Sequence, residues 1–175
     1  GGSGWQHDPA TGQYYYHAFL KQQPDLNWRN PEVKRAMWQM VRFWLDLGVD
    51  GFRLDAIATL FEHPGLPNHA LPRPTDQIGD ANLLDKHEYE VLLRYQIHQP
   101  GIHELMRELR ALVDEYPGER VLIGEDENVA FHGAGDDELH MVFNFPLMRA
   151  KRLTPAHIRA NQAQRLAELP PGAWP

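Results

Sequence analysis

Two acidic residues, each directly after a short apolar run, are the side chains of this sequence best placed to do chemistry. Asp55 follows Gly51–Leu54, and Glu125 follows Val121–Gly124. If both runs are parallel strands, the two carboxylates lie at the carboxyl edge of one sheet, where barrel enzymes carry their catalytic groups. Two carboxyl groups about 5 to 5.5 Å apart suit retaining glycoside hydrolysis, in which one attacks the sugar and the other protonates the leaving oxygen. Asp55 and Glu125 are therefore candidate catalytic residues.

A charged pair on the first run supports this hypothesis. The strand period of two puts Arg53 and Asp55 on one face, and Phe52, Leu54 and Ala56 on the other. We expect this strand to be buried, so the two charges must face each other or a polar cavity, since an unpaired buried charge is costly. Arg53 would lower the pKa of Asp55 and keep it ionised, as a carboxylate nucleophile requires. A buried ion pair without chemistry is an alternative that these residue types leave open.

Other kinds of site find less support in the sequence. Asp126 and Glu127, which follow Glu125, are expected to be solvated acids of a loop. The ten His residues include no His-x3-His pair and none beside two carboxylates at ligand spacing, so we expect no metal site. No Gly-x-Gly-x-x-Gly follows an apolar run, which argues against a dinucleotide-binding fold. We expect no cofactor.

The elements that must position the candidates follow from hydrophobic periodicity and from helix boundary signals. Asn30-Pro31 begins a helix and Gly48 ends it, because a capping Asn, Pro at the first position and a closing Gly are typical helix boundaries. Long helices that separate short apolar strands predict right-handed βα units on a parallel sheet, and hence an α/β fold. Predicted helices cover residues 31–47, 83–95 and 102–116 and a further one begins at Thr154-Pro155; predicted strands cover 49–57, 120–124 and 141–145.

Three further stretches matter for the fold. Residues 1–30 mix aromatic and turn-forming residues without a period, so we expect an ordered loop region; its first glycines suggest either an engineered linker or a native loop. Residues 58–100 form a long excursion, and such stretches are usually functional or contain structure of their own. In the last helix, the apolar positions include Ile158, Leu166 and Leu169.

Composition excludes several classes of partner. The net charge is −7, and the 17 Lys and Arg residues are scattered, so no basic face for nucleic acid is expected. No apolar run approaches the about 18 residues of a membrane span, so no membrane contact is expected. The absence of Cys implies no disulfides and no oxidising compartment, and the cytoplasm is the expected location.

Three segments carry a resemblance to a known family. Gly51–Asp55 resembles the nucleophile segment of the α-amylase family, glycoside hydrolase family 13, and Val121–Glu125 resembles the strand that carries its acid/base. Gln23–Asn27 is similar to a further family segment, in the form associated with the oligo-1,6-glucosidase and α-glucosidase subgroup. The three occur in the family's order, with a predicted helix between the second and third along the chain.

The resemblance implies a partial (β/α)8 barrel, about its fourth to sixth strands with their helices, over residues 31–175, preceded by the end of an inserted loop domain over residues 1–30. It implies a retaining, exo-acting α-glucosidase that releases terminal α-linked glucose from short oligosaccharides through a glucosyl-enzyme intermediate on Asp55. Arg53, Ala56 and Phe145 are the implied substrate-binding residues. The small side chain of Ala56, directly after the nucleophile, favours α-1,4 over α-1,6 bonds.

Two family segments have no counterpart in this sequence. They are the Asn-His-Asp segment, which supplies a third acid, and an Asp-x-x-x-Asn-His segment on an earlier strand; residues 170–175 resemble only the approach to the former. We therefore expect the missing barrel segments of the same polypeptide to be partners, and the isolated chain to be inactive. A trehalose synthase-like isomerase or transglycosylase is one alternative function. A non-catalytic binding relative is another, although such a relative would be expected to lose the carboxylates.

Overall fold

The computed structural model describes residues 3–72, 85–135 and 137–173 and divides the chain into two units. The first unit consists of residues 1–33 and 58–100, and the second of residues 34–57 and 101–175, which include both candidate carboxylates. The expected boundary near residue 30 between a loop domain and a barrel stays a prediction. The described residues form strands β1 (Trp5–Asp8), β2 (Gln13–Tyr16), β3 (Gly51–Leu54), β4 (Val121–Gly124) and β5 (Met141–Val142), and helices α1 (Pro31–Asp46), α2 (Lys86–Leu93), α3 (Ile102–Asp114), α4 (Phe145–Met148) and α5 (Pro155–Glu168).

Helix α1 confirms the first predicted helix and both of its boundaries. The Asn30 side chain accepts a hydrogen bond from the Glu32 backbone N–H at 2.9 Å, which satisfies a donor that the first helical turn leaves free. Gly48 follows the helix with φ +92°, a left-handed conformation that favours glycine. Val41 and Leu45, four residues apart, are the buried positions of α1.

Helix α3 supplies much of the apolar core of the second unit and confirms the helix predicted from Ile102. Its apolar residues recur at spacings of three and four, which places them on one face. Burying a large aliphatic side chain stabilises the fold by about 1.5–3 kcal/mol relative to leaving it exposed. The buried apolar residues of α3 are Ile102, Leu105, Met106, Leu109, Leu112 and Val113.

The predicted parallel sheet is confirmed in the second unit. Strands β3, β4 and β5 lie in that order, and both neighbouring pairs are parallel. The register pairs Gly51 with Val121 and Leu54 with Gly124. Gly51 has φ +151°, and a Cβ there would collide with the Val121 carbonyl oxygen, so only glycine permits this approach of the two strands.

The expectation of a loop region over residues 1–30 was wrong, because a β-hairpin lies within it. Strands β1 and β2 pair antiparallel, with Trp5 opposite Tyr16. At the turn, Asp8 accepts hydrogen bonds from the Ala10 backbone N–H at 3.1 Å and the Thr11 hydroxyl at 2.7 Å. Strands of four residues are too short to show a clear period, whereas the turn chemistry of Asp8 gives the stronger signal.

The third predicted strand is shorter than expected. Strand β5 contains only Met141 and Val142, and residues 145–148 form helix α4 instead of continuing the strand. The Asn144 side chain accepts a hydrogen bond from the Leu147 backbone N–H at 3.2 Å and so caps this helix. An Asn cap before a Pro-containing turn starts a helix here despite the apolar composition of the segment.

The prediction of a buried first strand was also wrong. Strand β3 is an edge strand of the described sheet, and none of its residues is fully buried. In helix α5 the apolar positions Ile158 and Leu166 are 40% and 59% exposed, whereas Asn161 and Arg165 are buried. The buried face of α5 is therefore polar, an arrangement that a hydrophobic pattern cannot predict.

Part of the expected structure lies outside the described residues. This applies to positions 83 and 84 of the second predicted helix, to the first two glycines, and to Trp174 and Pro175 at the end of the segment that resembles the approach to Asn-His-Asp. The rest of that predicted helix contains α2, whose capping residue Asp85 exchanges hydrogen bonds with Glu88. Across the described ranges, no helix combines the length and apolar character that crossing a bilayer requires.

Candidate active site

Asp55 and Glu125 lie side by side at the carboxyl end of the β3–β4 pair. Each is the first residue after its strand, and the register that pairs Leu54 with Gly124 brings them to equivalent positions. The Glu125 backbone N–H extends the ladder by donating to the Leu54 carbonyl oxygen at 2.9 Å. The expected juxtaposition of the two carboxylates is therefore present, although their chemical roles stay predictions.

Arg53 bridges the two carboxylates. Its Nη1 lies 2.5 Å from Asp55 Oδ1, and its Nη2 lies 2.6 Å from Glu125 Oε2. The Asp55 side chain is 74% exposed, so the cluster is open to solvent and is not the buried ion pair of the alternative hypothesis. Exposed ion pairs contribute little to stability, about 0–1 kcal/mol, so stability alone does not explain three charged groups at one strand edge.

The electrostatics of the cluster favour an ionised Asp55. A hydrogen bond with the Glu125 carboxyl group and, after it, the Arg53 guanidinium hold the pKa of Asp55 below its ordinary value. A lowered pKa favours the charged carboxylate, which is the form that a nucleophile requires.

Ala56 fixes the Glu125 carboxylate through its backbone. Its N–H donates to Glu125 Oε2 at 3.2 Å, the same oxygen that Arg53 contacts. To point this N–H inward, Ala56 adopts φ +42°, a left-handed conformation that is uncommon for a residue with a Cβ and recurs at functional sites. The structure thus gives Ala56 a positioning contact, and the implied contact with sugar stays a prediction.

The aromatic ring against Arg53 is Phe143, whereas the family resemblance implied Phe145 as a substrate-binding residue. The Arg53 guanidinium lies 5.7 Å from the centroid of the Phe143 ring. Phe145 packs edge-on against Phe143 at 5.5 Å, and Arg149 lies over it at 4.9 Å. Phe143 directly follows β5, and this position at the same sheet edge as Asp55 is the sequence signal that could have identified it.

Asp126 and Glu127, which follow Glu125, were both expected to be solvated, and this was wrong for Asp126. Asp126 is 7% exposed and accepts a hydrogen bond from the Asn128 backbone N–H at 2.7 Å, which shapes the turn after β4. The Glu127 side chain pairs with Arg149 at 2.9 Å, and its carbonyl oxygen accepts a hydrogen bond from Arg165 at 2.7 Å. The chain that leaves Glu125 is therefore held both by its own turn and by Arg149 and Arg165.

Metal chemistry finds no candidate in the part of the chain that the structure describes. Within those residues, no group of three or more His, Cys, Asp or Glu side chains could hold a metal ion. The chemistry available at the described edge of the sheet is that of two carboxylates, one guanidinium and one aromatic ring.

Comparison with known proteins places this geometry in context. A family model described as the catalytic domain of α-amylase matches residues 1–169. An oligo-1,6-glucosidase from Parageobacillus thermoglucosidasius is 38% identical over 84% of the chain, and a trehalose synthase/amylase from Mycolicibacterium smegmatis is 39% identical over 97%. An α-glucosidase from Pediococcus pentosaceus is 36% identical over 85%. In each case the match covers 25% of the relative, so the chain spans about a quarter of their length.

A solved structure agrees in fold as well as in sequence. The crystal structure of an α-glucosyl transfer enzyme superposes with a TM-score of 0.78 at 36% identity. The superposition covers 100% of this chain and 33% of that enzyme. The arrangement of β3, β4 and β5 with their helices thus occurs within a larger α-glucosyl transfer enzyme.

Proposed function

The chain belongs to the α-amylase family, glycoside hydrolase family 13, and from this membership we propose that it carries the nucleophile and the acid/base of a retaining, exo-acting α-glucosidase. Strands β3, β4 and β5 would then be three consecutive strands of a (β/α)8 barrel, about the fourth to the sixth. The function belongs to carbohydrate metabolism, with terminal α-linked glucose of short oligosaccharides as the substrate.

The proposed reaction uses the two carboxylates in turn. Asp55 attacks the anomeric carbon while Glu125 gives its proton to the glycosidic oxygen, so the glycosidic bond breaks and a glucosyl ester forms on Asp55. Glu125, now ionised, removes a proton from water, and that water displaces Asp55 from the sugar. Two inversions give net retention, and Glu125 recovers its proton.

The Arg53 bridge is the observation that carries this proposal. One guanidinium contacts Asp55 at 2.5 Å and Glu125 at 2.6 Å, and so holds both carboxylates close together. The two carboxyl groups are also within hydrogen-bonding distance of each other. Retention uses closely spaced carboxyl groups, about 5 to 5.5 Å apart, because the nucleophile must reach the sugar directly, whereas inversion uses about 6.5–9.5 Å to admit a water molecule. The lowered pKa of Asp55 supports the same division of roles.

Trapping the glucosyl ester tests the proposal directly. The test uses the intact protein, by which we mean the polypeptide that also supplies the remaining barrel strands. Incubating it with a 5-fluoro-α-glucosyl fluoride should leave a fluoroglucosyl group on Asp55, because the fluorine slows breakdown of the ester. Peptide mass spectrometry locates the label, and Asp55→Asn is the control that should take none. Label on another carboxylate, or turnover without any covalent species, would overturn the assignment of Asp55.

Linkage preference is the finer part of the proposal. The small Ala56 side chain after the nucleophile favours α-1,4 bonds, so maltose should be a better substrate than isomaltose. A clear preference of the intact protein for isomaltose, measured as the ratio of the two kcat/KM values, would contradict it. A loss of both activities would contradict the glucosidase proposal itself, and would favour a non-catalytic binding relative.

Glucosyl transfer to another sugar is the second candidate function. Similarity to the trehalose synthase/amylase and to the α-glucosyl transfer enzyme favours it. Both functions share the glucosyl-enzyme intermediate and differ in the acceptor that removes glucose from Asp55. Products released from maltose separate them, since hydrolysis yields glucose alone whereas transfer yields a new disaccharide.

A further inference from the structure

Helix α5 turns a polar face toward the sheet, and two buried side chains form that face. Asn161 and Arg165 are four residues apart, which places them on one side of the helix. They are 9% and 5% exposed, whereas Ile158 and Leu166 are open to solvent. Because an unpaired buried polar group is costly, the buried side chains of this face should make hydrogen bonds, and their partners indicate what the face does.

The buried Arg165 binds the backbone directly after two strands. Its Nη1 donates to the Glu127 carbonyl oxygen at 2.7 Å, two residues beyond Glu125. Its Nη2 donates, at a longer 3.4 Å, to the carbonyl oxygen of Phe143, the ring that lies against Arg53. A single guanidinium therefore contacts the chain after β4 and the chain after β5.

Asn161 makes a second contact of the same kind. Its side chain and that of Asn144 exchange hydrogen bonds, at 2.7 Å from Asn144 Nδ2 and at 3.2 Å from Asn161 Nδ2. Asn144 is the residue after Phe143, so both buried polar groups of α5 grip the segment that follows β5. The two contacts are independent of each other and act on the same place.

Burying the Arg165 guanidinium costs free energy, because a charged group loses its hydration. Among the residues that the structure describes, no carboxylate lies within ion-pair distance of it, and its Nε is buried without a hydrogen-bond partner. A buried cation bound only to carbonyl oxygens is a poor source of stability. It does offer a planar set of donors that fixes two chain segments relative to each other.

We propose that Arg165 is a positioning residue, which sets the direction of Glu125 through the Glu127 carbonyl and the direction of Arg53 through Phe143. This inference rests on the proposed function, in which Glu125 is the acid/base and Arg53 orients both carboxylates. Arg165 itself touches neither carboxylate and supplies no proton. Its loss leaves both carboxylates present, with Glu125, two residues from the Glu127 carbonyl, the one that is chiefly misdirected.

The chain offers a matched control in Arg120. Arg120 also has a buried Nε without a partner among the described residues, and it lies at the amino end of β4, where it contacts the Glu119 carbonyl at 3.2 Å and Asp50 at 3.4 Å. Arg165 and Arg120 thus contact the chain at opposite ends of β4. Arg165→Lys and Arg120→Lys each keep the charge and lose the planar fork.

The first experiment compares two substrates on the intact protein. Maltose needs proton donation to its leaving oxygen, whereas an aryl α-glucoside with a strongly acidic phenol needs little. Arg165→Lys should lower kcat on maltose on the order of tenfold to a hundredfold, the scale of a small misplacement of a catalytic group, and lower it much less on the aryl glucoside. KM should change little. Arg120→Lys should leave the ratio of the two rates unchanged.

Equal losses on both substrates would overturn the inference, because a fold that is merely destabilised loses active molecules regardless of the leaving group. Arg165→Met, which keeps the apolar stem without the charge, should give the same uneven loss with a melting temperature near that of the parent. An even loss in this variant, or no loss in either, would likewise contradict a positioning role.

Hydrogen exchange separates this inference from the proposed function. Backbone amides of residues 125–131 should exchange faster in Arg165→Lys than in the parent, whereas Arg120→Lys should leave them unchanged. If the parent protein hydrolyses neither substrate and takes no label on Asp55, the glucosidase proposal fails, and exchange alone decides whether Arg165 holds this segment. Unchanged exchange in Arg165→Lys would overturn the inference in an active or an inactive protein.

Discussion

At the amino end of the β3–β4 pair the contacts are those of a closely packed scaffold, whereas the carboxyl end presents charged groups to solvent. At the amino end, Gly51 lies against Val121, whose N–H donates to the Asp50 carbonyl oxygen at 2.9 Å. At the carboxyl end, Arg53 forms ion pairs with two carboxylates, and the Asp55 side chain is largely exposed to solvent. Both ends belong to the same two strands, so the difference between them must come from the residues that precede and follow the strands.

The difference follows from the direction of the strands and from the segments that leave them. In a parallel sheet every strand ends at the same edge, so the chain segments after several strands meet there. At this edge Ala56 accepts a left-handed conformation and Arg165 a buried charge, both unfavourable for stability. The amino end also carries charged groups, since Arg120 contacts Asp50 there; it differs in that this arginine contacts one carboxylate, whereas Arg53 contacts two. Substitutions matched across the two ends test this contrast.

The largest expected effect is on activity at the carboxyl end. Glu125→Gln removes the acid/base and should lower kcat/KM on maltose by about 10²- to 10⁴-fold, since general acid–base catalysis contributes on that scale. Glu119→Gln, an equivalent change just before the same strand, should leave kcat/KM within about twofold, because surface substitutions of this kind are nearly neutral. Steady-state kinetics of both variants measure the contrast, which a similar loss in Glu119→Gln would break.

Replacing a glycine should have an intermediate effect, which we expect in the free energy of unfolding and mainly at the amino end of the strands. Gly51→Ala forces a Cβ against the Val121 carbonyl oxygen at an unfavourable φ, and should cost about 1–3 kcal/mol or more of unfolding free energy. In Gly124→Ala the new Cβ meets movable side-chain tips, those of Leu139 at 2.5 Å and Ile57 at 2.7 Å, so the loss should be smaller. Urea unfolding with unchanged m-values measures both. A larger loss at Gly124 would show that the carboxyl end is the more rigid one.

The smallest expected effect is a pH dependence near the carboxyl end. Burial, and after it the positive charges of Arg165 and His140, lower the pKa of His132 from 6.5. The unfolded chain then binds a proton that the folded chain resists, so the free energy of unfolding falls as the pH drops below about 6.5. Burial raises the pKa of Glu138, which acts in the opposite sense at lower pH.

A variant isolates the histidine from the other titrating groups. His132→Gln should flatten the slope of unfolding free energy against pH between about 5 and 7, leaving the slope due to the remaining groups. Urea unfolding at a series of pH values provides the measurement. An unchanged slope would mean that His132 titrates alike in the folded and unfolded chain.

How much of this architecture the sequence could predict depended on the range of the interactions involved. Helices α1 and α3, the parallel strands and the adjacency of Asp55 and Glu125 follow from local caps, periodicity and the positions of acids after apolar runs. The buried polar face of α5 follows only from tertiary contacts, since Arg165 acts on carbonyls 38 and 22 positions away. The contact of Phe143 with Arg53 and the left-handed conformation of Ala56 were not predicted for a related reason, because both arise where three strand ends meet.

The Arg53 bridge also fixes the net charge of the reacting cluster. In the proposed reaction Glu125 holds its proton before the attack, so Asp55, Glu125 and the Arg53 guanidinium sum to zero. An uncharged sugar then approaches without attraction or repulsion, and its binding should depend little on ionic strength. As Glu125 passes its proton to the departing oxygen, the sum becomes negative at the moment when the proposed sugar transition state becomes positive. The site would thus acquire its attraction for the transition state from the proton transfer itself.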